Sequence, residues 1–255
     1  MFFIANIFGV SVFAEESVIF LMPFIFKLLY TLVEVMNPEK KHVLDKWRPF
    51  NGFSPLITFF RSYHDLTPEI EYFINQYTFP VIFKKNKFIA SPLHRNEYAY
   101  LLVKGVARGY MKDDKQEITT WIAREGELIG NIYSIGGDKK PIDEYIQALE
   151  DVEAVAVPYN LYVQLYNIDP IANYIGRKIV QLHYFQSCER ALISRLLSAE
   201  KKYIRFMQSY PDLVNRVGLK YIASFLCMRV ETLSRIRSKF AALSCFNLLL
   251  ILPGV

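Results

Sequence analysis

Cysteine is scarce in this chain of 255 residues, which contains three: Cys188, Cys227 and Cys245. They lie far apart, so the sequence has no CxxC pair and no Cys/His cluster with the spacing of a zinc or iron–sulfur site. The four histidines are also isolated from one another. We therefore predict neither a metal site nor a cofactor. A scattered, odd number of cysteines is typical of a reducing cytoplasm.

Catalytic signatures are missing as well. The sequence shows no nucleotide-binding P-loop, no nucleophile elbow around a serine and no regular alternation of strands and helices. Hydrophobic residues make up 52% of the chain and charged residues 22%, which is enough apolar material for a substantial core. The prediction is a folded protein that is not an enzyme.

The middle of the chain contains short β runs separated by turn signals such as Lys104-Gly105 and Gly136-Gly137. A helix precedes them, with Thr67 as its cap and Pro68 in its first turn. Short strands with frequent turns predict an antiparallel sandwich or jelly roll. The predicted strands span residues 78–83, 99–103, 106–111, 117–123 and 153–157.

A helical period returns at about Asp169 and lasts to about Ser198. Apolar residues about 3.5 positions apart form a seam along it, which indicates a dimer contact of the coiled-coil type. The alternative is a helix packed on the sandwich of its own chain, and Glu189 interrupts the seam. The residues assigned to the dimer seam are Ile175, Ile179, Leu182, Phe185, Leu192 and Leu196.

Residues 219–239 have the pattern of two short helices joined by a tight corner. This is typical of a helix-turn-helix that places its second helix in the major groove of DNA. Each helix has one apolar face, formed by Ile222, Ala223 and Leu226 in the first and by Val230, Leu233 and Ile236 in the second. The residues predicted to contact DNA are Lys220, Arg229, Glu231, Thr232, Ser234, Arg235, Arg237 and Lys239.

Positive charge is concentrated around this segment. Residues 200–240 contain nine basic and three acidic residues, a net charge of +6, whereas the whole chain carries +5. A domain that faces DNA phosphates requires such a concentration. A solvated basic face is the alternative, and the adjoining helix-turn-helix pattern favours the DNA interpretation.

Both ends of the chain are strongly apolar. Residues 1–35 fit a signal peptide poorly, because the positive n-region is missing, and a membrane helix poorly, because Pro23 and Lys27 interrupt it. We favour a biological start at Met36, with residues 1–35 an artefact of gene calling or a poorly structured tail. A membrane-associated tail is the next interpretation, although we expect no membrane partner. Residues 241–255 are predicted to pack as a last strand or helix, or to be an altered terminus.

The order of these features resembles the Crp/Fnr family of transcription regulators over residues 45–240. The resemblance rests most sharply on the run Thr232-Leu-Ser-Arg-Ile-Arg237 and on five further motifs. These are Val103-Lys-Gly, Glu117-Ile-Thr-Thr-Trp121, Glu125-Gly-Glu-Leu-Ile-Gly130, Tyr145-Ile-Gln-Ala-Leu-Glu-Asp151 and Leu196-Leu-Ser-Ala-Glu-Lys-Lys-Tyr203.

The resemblance implies an α+β fold with three parts. These are an antiparallel β-roll of the cyclic-nucleotide-binding type at residues 45–168, a dimerisation helix at 169–198 and a winged helix-turn-helix at 199–240. Residues 1–35 form an extension before them and residues 241–255 a tail after them. It also implies a homodimer that binds a palindromic site on double-stranded DNA and contacts RNA polymerase.

The family pattern places Glu231 and Arg235 at base-reading positions. Arg235 can donate to O6 and N7 of guanine, and Glu231 can accept from a cytosine amino group. Val230 stands where some family members have a third, polar reader, so the DNA sequence that is read should differ. Cys227 occupies a corner that usually carries glycine, because the backbone there takes positive φ.

The effector pocket departs further from the family pattern. The Gly-Glu pair that holds a ribose reads Gly130-Asn131, and the Arg-Ser pair for the cyclic phosphate is missing. We therefore predict an effector other than cyclic AMP, with Glu127, Gly130, Asn131 and Tyr133 as pocket candidates. The predicted function is a sequence-specific transcriptional regulator. The alternative is a ligand-binding or protein-interaction module with a degenerate helix-turn-helix.

Overall fold

A computed structural model describes residues 46–93, 96–114, 116–130 and 144–249 of the chain. The predicted extension at residues 1–35 and the end of the tail at residues 250–255 lie outside these ranges. The chain divides into two units after Gly52. The described part of the first unit contains a 3-10 turn, Arg48–Phe50, which ends at Asn51 in the left-handed conformation.

The second unit begins with two short helices, α1 (Pro55–Arg61) and α2 (Pro68–Tyr77). Thr67 caps α2 by accepting a hydrogen bond from the backbone N–H of Ile70 at 3.4 Å, with Pro68 in the first turn. The cap and the proline confirm the predicted start of this helix. The Thr67 hydroxyl satisfies a backbone N–H that the first turn leaves without a partner.

The strands of the described residues form two four-stranded antiparallel sheets, as predicted for a sandwich. One sheet has the order β1-β8-β3-β6 and the other β2-β7-β4-β5. Five strands match the predicted ones, and three short strands, β2, β6 and β7, were missed. Their bounds are β1 Phe79–Phe83, β2 Phe88–Ala90, β3 Tyr98–Lys104, β4 Ala107–Asp113, β5 Gln116–Ala123, β6 Leu128–Ile129, β7 Glu144–Ala148 and β8 Val152–Pro158.

Two helices follow the β-roll, α3 (Tyr159–Ile168) and α4 (Pro170–Arg195). Asp169 caps α4 through a 2.8 Å bond from the N–H of Ile171. Gly176 of α4 is required by a close approach, because a Cβ atom there would lie 2.4 Å from the hydroxyl of Tyr166. The glycine therefore lets the two helices approach closely at this point.

The predicted dimer seam is divided along α4. Ile175 and Ile179 are buried within the chain, whereas Leu182, Phe185 and Leu192 are exposed. Only the second half of the seam therefore offers an apolar face to a partner.

The chain continues with α5 (Ala199–Ser209), α6 (Leu219–Phe225) and α7 (Val230–Leu249). Phe206, Leu213 and Leu233 are fully buried in a core that these helices share. That core also contains Val106 and Ile122 of the β-roll, so it extends across the contact between the roll and the helices.

Two features of the C-terminal region follow from the length of α7. The described residues contain no strand after β8, so they show a helix-turn-helix without the predicted wing. No glycine or proline interrupts residues 240–249, and α7 accordingly continues to Leu249. In the described part of the chain, no helix is both long enough and apolar enough to cross a membrane.

Candidate nucleic-acid interface

The corner between α6 and α7 has the hydrogen bonds of a Schellman motif. The N–H of Met228 donates to the carbonyl of Ala223 at 3.0 Å, and that of Cys227 to Ser224 at 3.1 Å. Cys227 has a φ of 52°, which confirms the predicted left-handed conformation. A side chain at this position costs on the order of 1 kcal/mol relative to glycine, but the corner keeps both of its hydrogen bonds.

The first half of α7 divides into a buried and an exposed face. Leu233 is fully buried and Ile236 packs partly against the same core, as the sequence pattern predicted. The prediction that Val230 shares this face is wrong, because its side chain is 39% exposed and the core contact begins one turn later. Glu231 and Arg235 lie on the exposed side of the helix.

The predicted phosphate-binding residues differ in their partners. Lys239 is paired with Glu200 at 3.1 Å, and Arg237 donates to Asn215 at 3.4 Å. Arg229 and Arg235 are exposed and form no ion pair with any residue that the structure describes. These two arginines are thus the cations on this face most available to an external anion.

The remaining predicted contact residues lie around this surface. Thr232 is half-buried, while Ser234 is exposed beside Arg235. Lys220 at the start of α6 is exposed, with its ammonium 4.7 Å from the ring of Tyr221. The predicted polar residues of α6 and of the first half of α7 are thus exposed or half-buried.

Helix α6 is docked on strand β5 of the β-roll, a contact that the sequence did not predict. The hydroxyl of Ser224 accepts from the N–H of Thr119 at 2.9 Å and donates to the carbonyl of Glu117 at 3.1 Å. The guanidinium of Arg108 lies 4.1 Å from the ring of Tyr221. Because Arg108 is 2% exposed, this cation–π contact is shielded from solvent.

Arg216 forms a second connection between the roll and the helix-turn-helix. It donates two hydrogen bonds to Glu125, at 2.6 and 2.9 Å, and two to Glu150, at 2.7 and 3.1 Å. The hydrogen bonds from Arg216 lower the pKa of Glu125 from 4.5 to about 2. An ion pair between Arg124 and Asp212 lies beside them. The sequence motif around Glu125 does not reveal Arg216 as its partner.

A cavity of about 470 Å³ lies between the β-roll, α3 and α4. Of the predicted effector residues, Glu127 and Gly130 line it, whereas Asn131 and Tyr133 lie outside the described residues. Burial raises the pKa of Glu127, whose carboxylate accepts from the side-chain amide of Gln186 on α4 at 3.4 Å. Sequence reasoning missed the aromatic residues of the cavity, since segments distant in sequence supply them, among them Phe60, Trp121 and Tyr166.

Within the described ranges, no group of three or more histidine, cysteine, aspartate or glutamate residues is arranged to hold a metal ion. Among the described residues that line the cavity, one is an arginine, Arg190. Its guanidinium donates a hydrogen bond to the hydroxyl of Ser187 at 2.8 Å.

No family model matches the sequence, and no curated protein is significantly similar to it. Solved structures do resemble it. FixK2 from Bradyrhizobium japonicum has a TM-score of 0.57 at 16% identity, covering 66% of this chain and 86% of FixK2. A protein from Eubacterium rectale assigned to the Crp/Fnr family of transcriptional regulators has a TM-score of 0.58 at 16% identity, covering 72% and 88%.

The c-di-GMP-responsive global regulator CLP of Xanthomonas campestris has a TM-score of 0.55 at 15% identity, covering 69% of this chain and 92% of CLP. At these identities the likeness concerns the fold. It extends over most of each solved chain. The chain therefore has the Crp/Fnr-like fold, a β-roll of the cyclic-nucleotide-binding type followed by a long helix and a helix-turn-helix.

Proposed function

We propose that the protein is a sequence-specific DNA-binding transcriptional regulator of the Crp/Fnr type. The observation that carries the proposal is the exposed face of α7, where Glu231, Ser234 and Arg235 lie beyond a well-formed helix-turn-helix corner. Arginine is the side chain that most often reads guanine in the major groove. Arg235 is exposed and has no acidic partner among the described residues, so it is free to do so.

A homodimer that binds a palindromic site fits the same arrangement. Two copies of a recognition helix read two half-sites when a two-fold axis relates them. The exposed residues Leu182, Phe185 and Leu192 of α4 supply the apolar face for this contact. We propose further that the protein acts in the cytoplasm and, as the resemblance implies, contacts RNA polymerase.

The hypothesis of a degenerate helix-turn-helix rests on Cys227. Its left-handed conformation is strained, yet the corner retains its hydrogen bonds and α7 retains its buried contact through Leu233. The geometry therefore favours a working DNA-binding unit over a degenerate one.

The experiment compares Arg235→Ala with Arg177→Ala, which removes another exposed arginine, this one on α4. On a DNA site selected by the wild-type protein, Arg235→Ala is expected to weaken binding by about 5- to 150-fold, the loss typical of one bidentate base contact, and to relax the preference at one base pair of each half-site. Arg177→Ala should leave affinity and preference unchanged. Equal affinities of Arg235→Ala and wild type would contradict the proposal.

The effector is proposed to be other than cyclic AMP. Arg190 is the one arginine among the described residues that line the cavity, and a glutamate, Glu127, lies near it. Cyclic AMP at saturating concentration should therefore leave the affinity for the selected DNA site unchanged, and a marked increase would overturn this part of the proposal.

A further inference from the structure

An apolar side chain, Val230, lies on the otherwise polar face of α7. It is 39% exposed, whereas Leu233, three positions later, is fully buried. Residues four positions apart on a helix lie one above the other, so Val230 is the neighbour of Ser234, and Glu231 is the neighbour of Arg235. All four of these side chains are exposed. Val230 therefore belongs to the face assigned to DNA and not to the core.

The position of Val230 along the helix places it where a helix-turn-helix reads bases. It is the first residue of α7, and the N–H of Leu233 already donates to the carbonyl of Arg229 at 3.2 Å. The first residues of the second helix are those that reach base edges in the major groove. A valine in a helix has one strongly preferred side-chain conformation, so its two methyl groups form a fixed apolar surface.

The chemistry of the major groove determines what such a surface can recognise. Valine neither donates nor accepts a hydrogen bond. The base edges in the groove carry donors, acceptors and one kind of apolar group, the C5 methyl of thymine. Against a cytosine amino group or a guanine carbonyl, the side chain of Val230 would displace water without replacing its hydrogen bonds, which is unfavourable. Against a thymine methyl, the same contact buries apolar surface on both sides.

We propose that Val230 determines specificity by packing on the C5 methyl of a thymine in each half-site. The inference rests on the proposed function, because that function places α7 in the major groove. It adds a requirement for a methyl group, which a polar residue at this position would not impose.

The helix also indicates where the thymine lies. Val230 and Arg235 are separated by about 7.5 Å along the helix axis, at 1.5 Å per residue. This length corresponds to about two steps of 3.4 Å between base pairs. The thymine should therefore lie within about three base pairs of the pair whose preference Arg235→Ala relaxes.

Substitution of deoxyuridine for thymine tests the methyl contact, because it removes the methyl group and keeps every hydrogen-bonding group. Each thymine of a site selected by the wild-type protein is replaced in turn, and the affinity of the full chain is measured by fluorescence anisotropy. Replacement of the contacted thymine should weaken binding about fourfold in one half-site and about 15-fold in both, the effect of one methyl group leaving an apolar contact.

Val230→Ala assigns the effect to the side chain. The variant should bind the thymine and deoxyuridine sites equally, and it should remain folded because alanine forms helices better than valine. Val163→Ala is the matched control, since it shortens a valine of α3 that is 50% exposed. It should show the full wild-type loss. The difference between the losses of wild type and Val230→Ala separates the contact from any change in DNA stiffness.

A further comparison separates the methyl group from the rest of the thymine. With the contacted T·A pair changed to C·G, 5-methylcytosine should be bound about fourfold more tightly than cytosine by the wild type, and equally by Val230→Ala. The inference would be overturned if no deoxyuridine within three base pairs of the pair read by Arg235 weakened binding, or if Val230→Ala lost as much affinity as the wild type. A selected site without a methyl effect would contradict the inference alone. Selection of no DNA site would contradict the proposed function and, with it, the inference.

Discussion

Removal of the Arg216 side chain tests how strongly the β-roll holds the helix-turn-helix. Arg216→Met deletes four charge-assisted hydrogen bonds to Glu125 and Glu150 while keeping most of the side chain's volume. The fall in the pKa of Glu125 from 4.5 to about 2 corresponds to about 3 kcal/mol for a fully shielded group. Since the side chain of Glu125 is 36% exposed, solvent screening reduces this to about 1.5–2 kcal/mol.

Thermal unfolding at pH 7 should therefore show a melting temperature about 3–8 °C lower for Arg216→Met, at 2–4 °C per kcal/mol for a unit of this size. The difference has a defined pH dependence. The folded-state pKa of Glu125 is depressed, so its stabilisation is complete above the unfolded value of about 4.5 and is lost as the pH falls towards 2. The gap between wild type and variant should shrink over that window.

Arg205→Met is the matched control, because Arg205 also binds a carboxylate, Glu189, at 2.6 and 2.9 Å. The Arg205 side chain is 45% exposed, and its ion pair with Glu189 joins α5 to α4 rather than to the β-roll. An exposed pair of this kind contributes less than about 1 kcal/mol. Two results would refute the claim that Arg216 holds the helix-turn-helix on the β-roll. One is an Arg205→Met variant as destabilised as Arg216→Met, and the other is a fall in melting temperature of Arg216→Met that is unchanged at pH 3.

Three further outcomes are expected. Tyr162→Phe should raise the free energy of unfolding of the unliganded protein by up to about 1–3 kcal/mol in chemical denaturation, because it removes an unsatisfied buried hydroxyl; a loss of stability would show that the hydroxyl is satisfied. Cys227→Gly should stabilise the protein by about 0.5–1 kcal/mol by relieving the left-handed strain, and its destabilisation would contradict the corner geometry. Phe185→Glu should convert a dimer to a monomer in analytical ultracentrifugation, whereas Val163→Glu, at a similarly exposed site on α3, should not; a dimeric Phe185→Glu would contradict the seam.

Much of the fold was predictable because local patterns determine it. Strands β3 and β5 of the β-roll carry β-branched and aromatic residues between turn signals, and Thr67 and Asp169 mark helix starts. Strand β6 is two residues long and carries no period that a sequence pattern can show.

The buried and exposed faces of α7 in the candidate interface were also largely predictable from the sequence. The periodicity of α7 identified Leu233 as its buried contact and Arg235 as exposed. Val230 was misplaced because a helical stripe does not reveal where along a helix tertiary contact begins. The half of the dimer seam at Ile175 and Ile179 is buried in the chain's own core, and the same apolar spacing serves either kind of packing.

Contacts between distant segments were beyond the sequence. Arg216 meets Glu125 across 91 positions, and Ser224 meets Thr119 across 105. The orphaned hydroxyl of Tyr162 depends on burial by surrounding helices, which no local pattern encodes. The first two contacts are the basis of the docked helix-turn-helix.

Selection of bound sequences from a random pool of double-stranded DNA tests the central claim most directly. The wild-type protein should enrich a two-fold symmetric site with half-sites about 10 base pairs apart, and its affinity for that site should fall steeply as the salt concentration rises. Enrichment of no sequence, or of sites without two-fold symmetry, would contradict the account of α7 as a recognition helix in a dimeric regulator.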